Sequence, residues 1–104
     1  MNSYQLSFSI RSSTGMYSLP PDISDVFDSG KSAGANIHSA SWGASSETGY
    51  GVLNKYFDGY SYSDDNFLAV VAAGNHGYSS SQNQFDMPNT IFEPASAKNV
   101  LTGT

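Results

Sequence analysis

The chain contains no cysteine. That excludes disulfides and thiolate metal sites, and it removes the usual redox signature of a compartment. Positive charge is scarce: four Lys plus Arg stand against nine Asp plus Glu, a net charge of -5. No basic patch for a nucleic acid can be assembled from so few cations, and an anionic membrane surface is disfavoured for the same reason. Charged residues of either sign make up only 12% of the 104, so Ser, Gly and Asn supply much of the polarity. Long apolar runs are missing too, and nothing approaches the roughly 20 residues of a membrane span. Met1 to Arg11 alternate apolar and polar residues without a basic leader, which is not the pattern of a signal peptide. No Asn-x-Ser/Thr sequon occurs, and location is not written in this sequence.

What is present is a folding composition of one small domain's length, 38% apolar with seven Tyr and six Phe. Tyr4, Leu6, Phe8 and Ile10 alternate onto one face and predict a strand with one buried side. A loop through Ser12–Gly15 follows. Pro20-Pro21-Asp22 then suits the first turn of a helix. Ile23, Val26 and Phe27 keep helical spacing, and Ala33-Gly34 offers a left-handed cap. Ala35 to Gly43 reads as a second strand, Ala44 to Gly49 as a small-residue loop. Tyr50 to Gly59 reads as a helix with Tyr50, Leu53, Tyr56 and Phe57 on one face and Val52 near it. Tyr78 to Asn89 is a long polar loop, Thr90 to Ala97 is irregular, and Val100-Leu101-Thr102 begins a last strand. Strands alternating with helices imply an α/β fold with a mainly parallel, doubly wound sheet. Four such strands with bare edges would be marginal, so the 104 residues read as the middle portion of a larger domain, lacking both ends.

The stretch from Phe67 to Gly77 stands out. An apolar run, Phe67-Leu68-Ala69-Val70-Val71, passes through Ala72 and Ala73 into Gly74-Asn75-His76-Gly77. Such a run predicts a strand buried on both faces, with small residues where other backbone comes close. Ligands of open parallel sheets sit just beyond the carboxyl ends of the strands, which is where Asn75 falls. Composition alone would make Asn75 a turn residue beside glycine.

Three segments in order, Ser41-Trp42-Gly43, Ala72-Ala73-Gly74-Asn75 and Pro94-Ala95-Ser96-Ala97-Lys98-Asn99-Val100-Leu101-Thr102, resemble the subtilisin-like serine peptidases. Gly34-Ala35-Asn36-Ile37-His38 before the serine-tryptophan-glycine run is most similar to the larger subtilases. The resemblance implies a subtilisin-like fold fragment and peptide or protein substrates. It implies that the Asn75 side-chain amide donates to the oxyanion that forms when a serine attacks a peptide carbonyl. It implies that Ser41, Trp42 and Gly43 form the edge that pairs with substrate backbone, and that Ala72, Ala73 and Gly74 wall the S1 pocket. His76 would lie at the pocket rim and tune the preference between acidic and apolar P1 residues. No cofactor is identifiable; calcium occurs in many subtilases, but the resemblance carries no ligand position onto Asp58, Asp64, Asp65 or Asp86.

The family's Asp and His motifs precede the matched region and its Ser motif follows it, so none of the triad is expected in this chain. Asp28-Ser29-Gly30 imitates the aspartate motif, but it follows a predicted helix rather than ending a buried strand. Thr102-Gly103-Thr104 stands where the family has a threonine-valine-glycine-alanine strand and is not the nucleophile motif. His38 reads as a structural histidine in a strand, and Trp42 as a packing residue as well as an edge residue. Two rival readings are a catalytically inactive peptide-binding pseudo-protease or truncated gene product, and an unrelated doubly wound nucleotide-binding or receiver domain. The sequence has no glycine-rich phosphate loop of either common pattern, which weakens the last.

Overall fold

The computed structural model describes residues 10–11, 17–44, 49–75 and 91–104. Two short strands, β1 (Ile10–Arg11) and β2 (Tyr17–Ser18), pair antiparallel as a separate hairpin. Helix α1 (Ser24–Ser32), strand β3 (Ile37–Ala40), helix α2 (Val52–Ser63), strand β4 (Leu68–Ala72) and strand β5 (Leu101–Gly103) follow. The main sheet is parallel throughout, in the order β3-β4-β5. This is an α/β fold, as expected. The antiparallel hairpin was not: Ile10–Arg11 pairs with Tyr17–Ser18 in a sheet of its own, and two residues are too short a pattern to signal a strand. The rest of the expected first strand, His76, Asp86 and the Tyr78–Asn89 loop lie outside the described residues.

Helix α1 ends where predicted but starts at Ser24, after Pro20-Pro21-Asp22 rather than with them in its first turn. The Asp22 carboxylate accepts the N–H of Ser24, 2.9 Å, at the first helical residue. Gly34, at φ 93°, takes the left-handed turn after the Ala33 cap. Asp28-Ser29-Gly30 lies inside this helix rather than after it. The Tyr60 hydroxyl donates to Asp28 Oδ1 at 2.7 Å, tying α1 to α2. Helix α2 starts later and runs further than predicted. Tyr50 precedes it, and Val52 is 63% exposed, because the buried stripe runs through Asn54, Phe57 and Asp58 instead.

One core forms where both helices meet one face of the sheet: Ile23 and Phe27 of the α1 side, Phe57 of α2, and Ala40, Ala69 and Val71 of the strands. Phe27 is its hub, with ring centroids of Phe57 at 4.9 Å, Tyr60 at 4.8 Å and Phe67 at 5.1 Å. Burying each phenylalanine is worth about 1.5–3 kcal/mol. The opposite face departs from the expectation of a doubly buried strand. Leu68 and Ala72 of β4 are exposed, as are Ile37 of β3 and Leu101 of β5. Only Ala69 and Val71 of β4 are buried, because among the described residues both helices cover the same side. Strand β3 also ends earlier than predicted. Residues 41–43 continue as unpaired chain, and Ala44 makes an isolated antiparallel bridge to Glu93.

Candidate functional site

The carboxyl ends of β3 and β4 are in register, with Ala40 opposite Val71. The chain leaving β3 carries Ser41, Trp42 and Gly43, and the chain leaving β4 carries Ala73, Gly74 and Asn75. Because the strands are parallel, the two departing segments diverge from the same end of the sheet and enclose a cleft of about 340 Å³. Ser41, Trp42 and Gly43 line one wall, Ala72, Ala73, Gly74 and Asn75 line another, and Phe92 and Glu93 complete it. All seven site residues named from the sequence within the described region thus share one cavity; His76 lies outside that region. The sequence reading missed Phe92 and Glu93.

Local backbone explains the shape. Ala73 donates its N–H to the Gly103 carbonyl at 2.8 Å, so β5 steadies the start of the second wall. Gly74 then turns at φ 102°, a conformation that a side chain resists, and releases Asn75 into an exposed bend. On the first wall, Trp42 is half-buried and its ring meets Phe57 edge-on, centroids 6.0 Å apart. It packs against α2 and lines the cleft at once. Ser41 and Gly43 are exposed beside it.

Glu93 is 8% exposed, unusual for a carboxylate. Its Oε2 accepts the N–H groups of Leu53 and Asn54 at 2.9 and 3.2 Å, in the first turn of α2. Its peptide bond to Pro94 is cis. Asn54, fully buried, donates to the Ser96 hydroxyl at 2.9 Å, and that hydroxyl donates to the Gly49 carbonyl at 3.0 Å. A weak local signal existed for this role: a lone acidic residue before a proline in an otherwise largely apolar, irregular run, Ile91 to Ala97.

Several other titratable groups have structural work. Asp58 accepts the N–H groups of Lys98 and Asn99 at 2.8 and 2.7 Å, and the Tyr50 hydroxyl donates to its other oxygen. Burial pushes its carboxyl up, but the bonds from Tyr50, Asn99 and Lys98 and the nearby Lys98 charge together hold it below the usual range. The same bond to Asp58 leads the causes that raise the Tyr50 phenol, with burial adding to it. Burial first, then the bond to Asp28, pushes the Tyr60 phenol up to about 12. Asp64 pairs with Lys31. His38 is a structural histidine: its ring meets Phe27 edge-on at 5.1 Å, burial lowers its pKa, and Nε2 has no hydrogen-bond partner among the described residues. Among the described residues no group of three or more His, Cys, Asp or Glu could hold a metal ion, and no helix is long and apolar enough to cross a membrane.

Chemically, the cleft offers small apolar walls, an exposed amide at Asn75 and one hydroxyl at Ser41. Its carboxylate, Glu93, is bonded to backbone donors of α2. A serine protease/ABC transporter B family protein of Dictyostelium discoideum, tagD, is 34% identical over 89 residues. That alignment covers 80% of this chain and 4% of the relative, so the chain spans a small part of the protein it matches. The profile of the subtilase family matches residues 7–102, nearly the whole chain, and the chain belongs to the subtilase family.

Proposed function

We propose that residues 1–104 form part, a middle portion, of a subtilisin-like serine endopeptidase domain that acts on peptide or protein substrates. The cleft binds an extended substrate. Ser41, Trp42 and Gly43 pair with its backbone, as a strand added to an edge. Ala72, Ala73 and Gly74 leave room for the P1 side chain, and His76 borders that pocket. Asn75 contributes its side-chain amide to the oxyanion hole. A fixed neutral donor suits that task, since charge develops on the carbonyl oxygen only in the transition state. The observation that carries this reading is that two segments far apart in sequence, 41–43 and 72–75, line the same cavity at the carboxyl ends of parallel strands.

The nucleophile and base belong elsewhere in this reading. Among the described cleft-lining residues Ser41 has no imidazole beside it, and His38 sits among phenylalanines rather than at a hydroxyl. The chain by itself therefore binds peptide without cleaving it, which also describes the inactive, pseudo-protease reading. The two part on the longer polypeptide. Exposure of the isolated chain to a fluorophosphonate probe should label no serine. Stoichiometric labelling of one serine would sink the division of labour proposed here. Peptide-bond hydrolysis by a longer native polypeptide containing these residues, abolished by its own triad variants, would select the enzyme over the pseudo-protease.

A further inference from the structure

Glu93 stands where helix α2, the first cleft wall and the cavity meet. Its side chain faces α2: Oε2 takes the Leu53 and Asn54 N–H groups, two donors that the helix itself leaves unsatisfied. A negative charge there also complements the positive end of the helix. Its main chain faces the wall: the carbonyl accepts the Ala44 N–H at 2.9 Å. That carbonyl is so near Gly43 that a Cβ there would lie 3.1 Å from it. The wall in turn leans on α2, since Trp42 meets Phe57. The contacts close a circuit from α2 through Glu93, Ala44 and Trp42 to Phe57 and back to α2. Gly51 completes the fit, because any side chain at this position would collide with the Glu93 carboxylate.

We propose that Glu93 is a positioning residue that sets the separation of the two cleft walls by clamping the 41–44 segment to the start of α2. It touches no reacting atom in this role. Helix α2 fixes the carboxylate, the carboxylate fixes the Glu93 main chain, and the main chain fixes the edge against which Ala72–Asn75 stand. The ligand of the cleft rests on the peptide-binding reading given above; the clamp itself rests on the contacts.

Trp42 is the chain's single tryptophan and lines the cleft, so its fluorescence reports this wall alone. Two measurements on Glu93→Ala, Glu93→Gln and Gly51→Ala test the clamp: acrylamide quenching of Trp42 in the free chain, and titration with an equimolar library of capped hexapeptides. Gly51→Ala displaces the carboxylate without changing any cleft-lining residue, and φ of −101° at Gly51 is open to alanine. Glu93→Ala and Gly51→Ala should raise quenching and weaken peptide binding by about tenfold or more, the range expected for lost bonds to a charged group. Glu93→Gln keeps an acceptor oxygen and should restore most of both. Where Glu93→Ala does not fold by circular dichroism, Gly51→Ala and Glu93→Gln carry the same comparison. Unchanged Trp42 quenching in folded Gly51→Ala or Glu93→Ala overturns the clamp. A wild-type chain that ignores the peptides defeats the peptide reading, while the quenching comparison still decides the clamp.

Discussion

Asp58 and Asn99 are bonded twice across 41 residues of chain. The Asn99 N–H donates to Asp58 Oδ1 at 2.7 Å, and the Asn99 side-chain amide donates to the Asp58 carbonyl at 3.3 Å. With the Lys98 N–H on the same oxygen, this carboxylate holds the segment leading into β5 against α2. Lys98 then folds over Tyr50, its Nζ 5.1 Å from the ring centroid.

Replacing Asp58 by alanine should strand two backbone donors at a buried site and cost about 3 kcal/mol or more. Asp58→Asn, which keeps one acceptor oxygen, should cost less. Urea titration of the two variants reads the difference; equal midpoints for wild type and Asp58→Ala would show the bonds to be idle.

The same carboxylate gives an acid limb to stability. Its folded pKa is held down, so the stabilisation is present above the unfolded value of 3.8 and is lost as pH falls through the folded value. Thermal melts of wild type and Asp58→Asn from pH 5 to 2 should converge at the acid end. Parallel curves throughout would contradict this.

His38 works in a different window. Burial holds its pKa below 6.5, so the unfolded chain binds a proton that the folded chain refuses. Stability should fall as pH drops below about 6.5 and level off beneath the folded value. A His38→Phe variant, which leaves no imidazole among Phe27, Phe57 and Phe67, should lose that slope. Retention of the full slope in the variant would assign it to another group.

Phe57 joins core and cleft in one ring, fully buried and shared by Phe27, His38 and Trp42. Phe57→Ala should cost about 3–5 kcal/mol. It should also shift Trp42 emission in whatever fraction stays folded, read by fluorescence during the same denaturant titration.

Asn75 is to be tested in a longer native polypeptide that shows hydrolysis. Asn75→Ala should lower kcat by the equivalent of about 2.7–4 kcal/mol, a magnitude known from subtilisin itself and borrowed for this chain. KM should move little, because the amide is needed when charge develops. A loss confined to KM would place Asn75 in ground-state binding instead.

Local pattern was enough for much of this fold. The Gly34 end of α1, the apolar run of β4 and the placement of Asn75 beyond a strand all follow from neighbours in sequence. What stayed hidden depends on distant partners. Glu93 meets Leu53 across 40 residues, and Gly51 is required by that same carboxylate. No periodicity encodes such a pairing. Strand β4 misled for a related reason: a continuous apolar run states that a strand can be covered on both faces, and only the tertiary arrangement says which face is.

That uncovered face has a colloidal consequence. Ile37, Leu68 and Leu101 present an apolar strip to water at 61%, 42% and 57% exposure. A net charge of -5 sets a mutual repulsion between separate molecules of this chain against that strip. The repulsion vanishes near the isoelectric point of about 4.5, while the strip remains. Acidification thus brings neutral, sticky sheets together in the pH range where buried His38 is also under pressure to take a proton, so clouding of the solution and loss of the fold should arrive together.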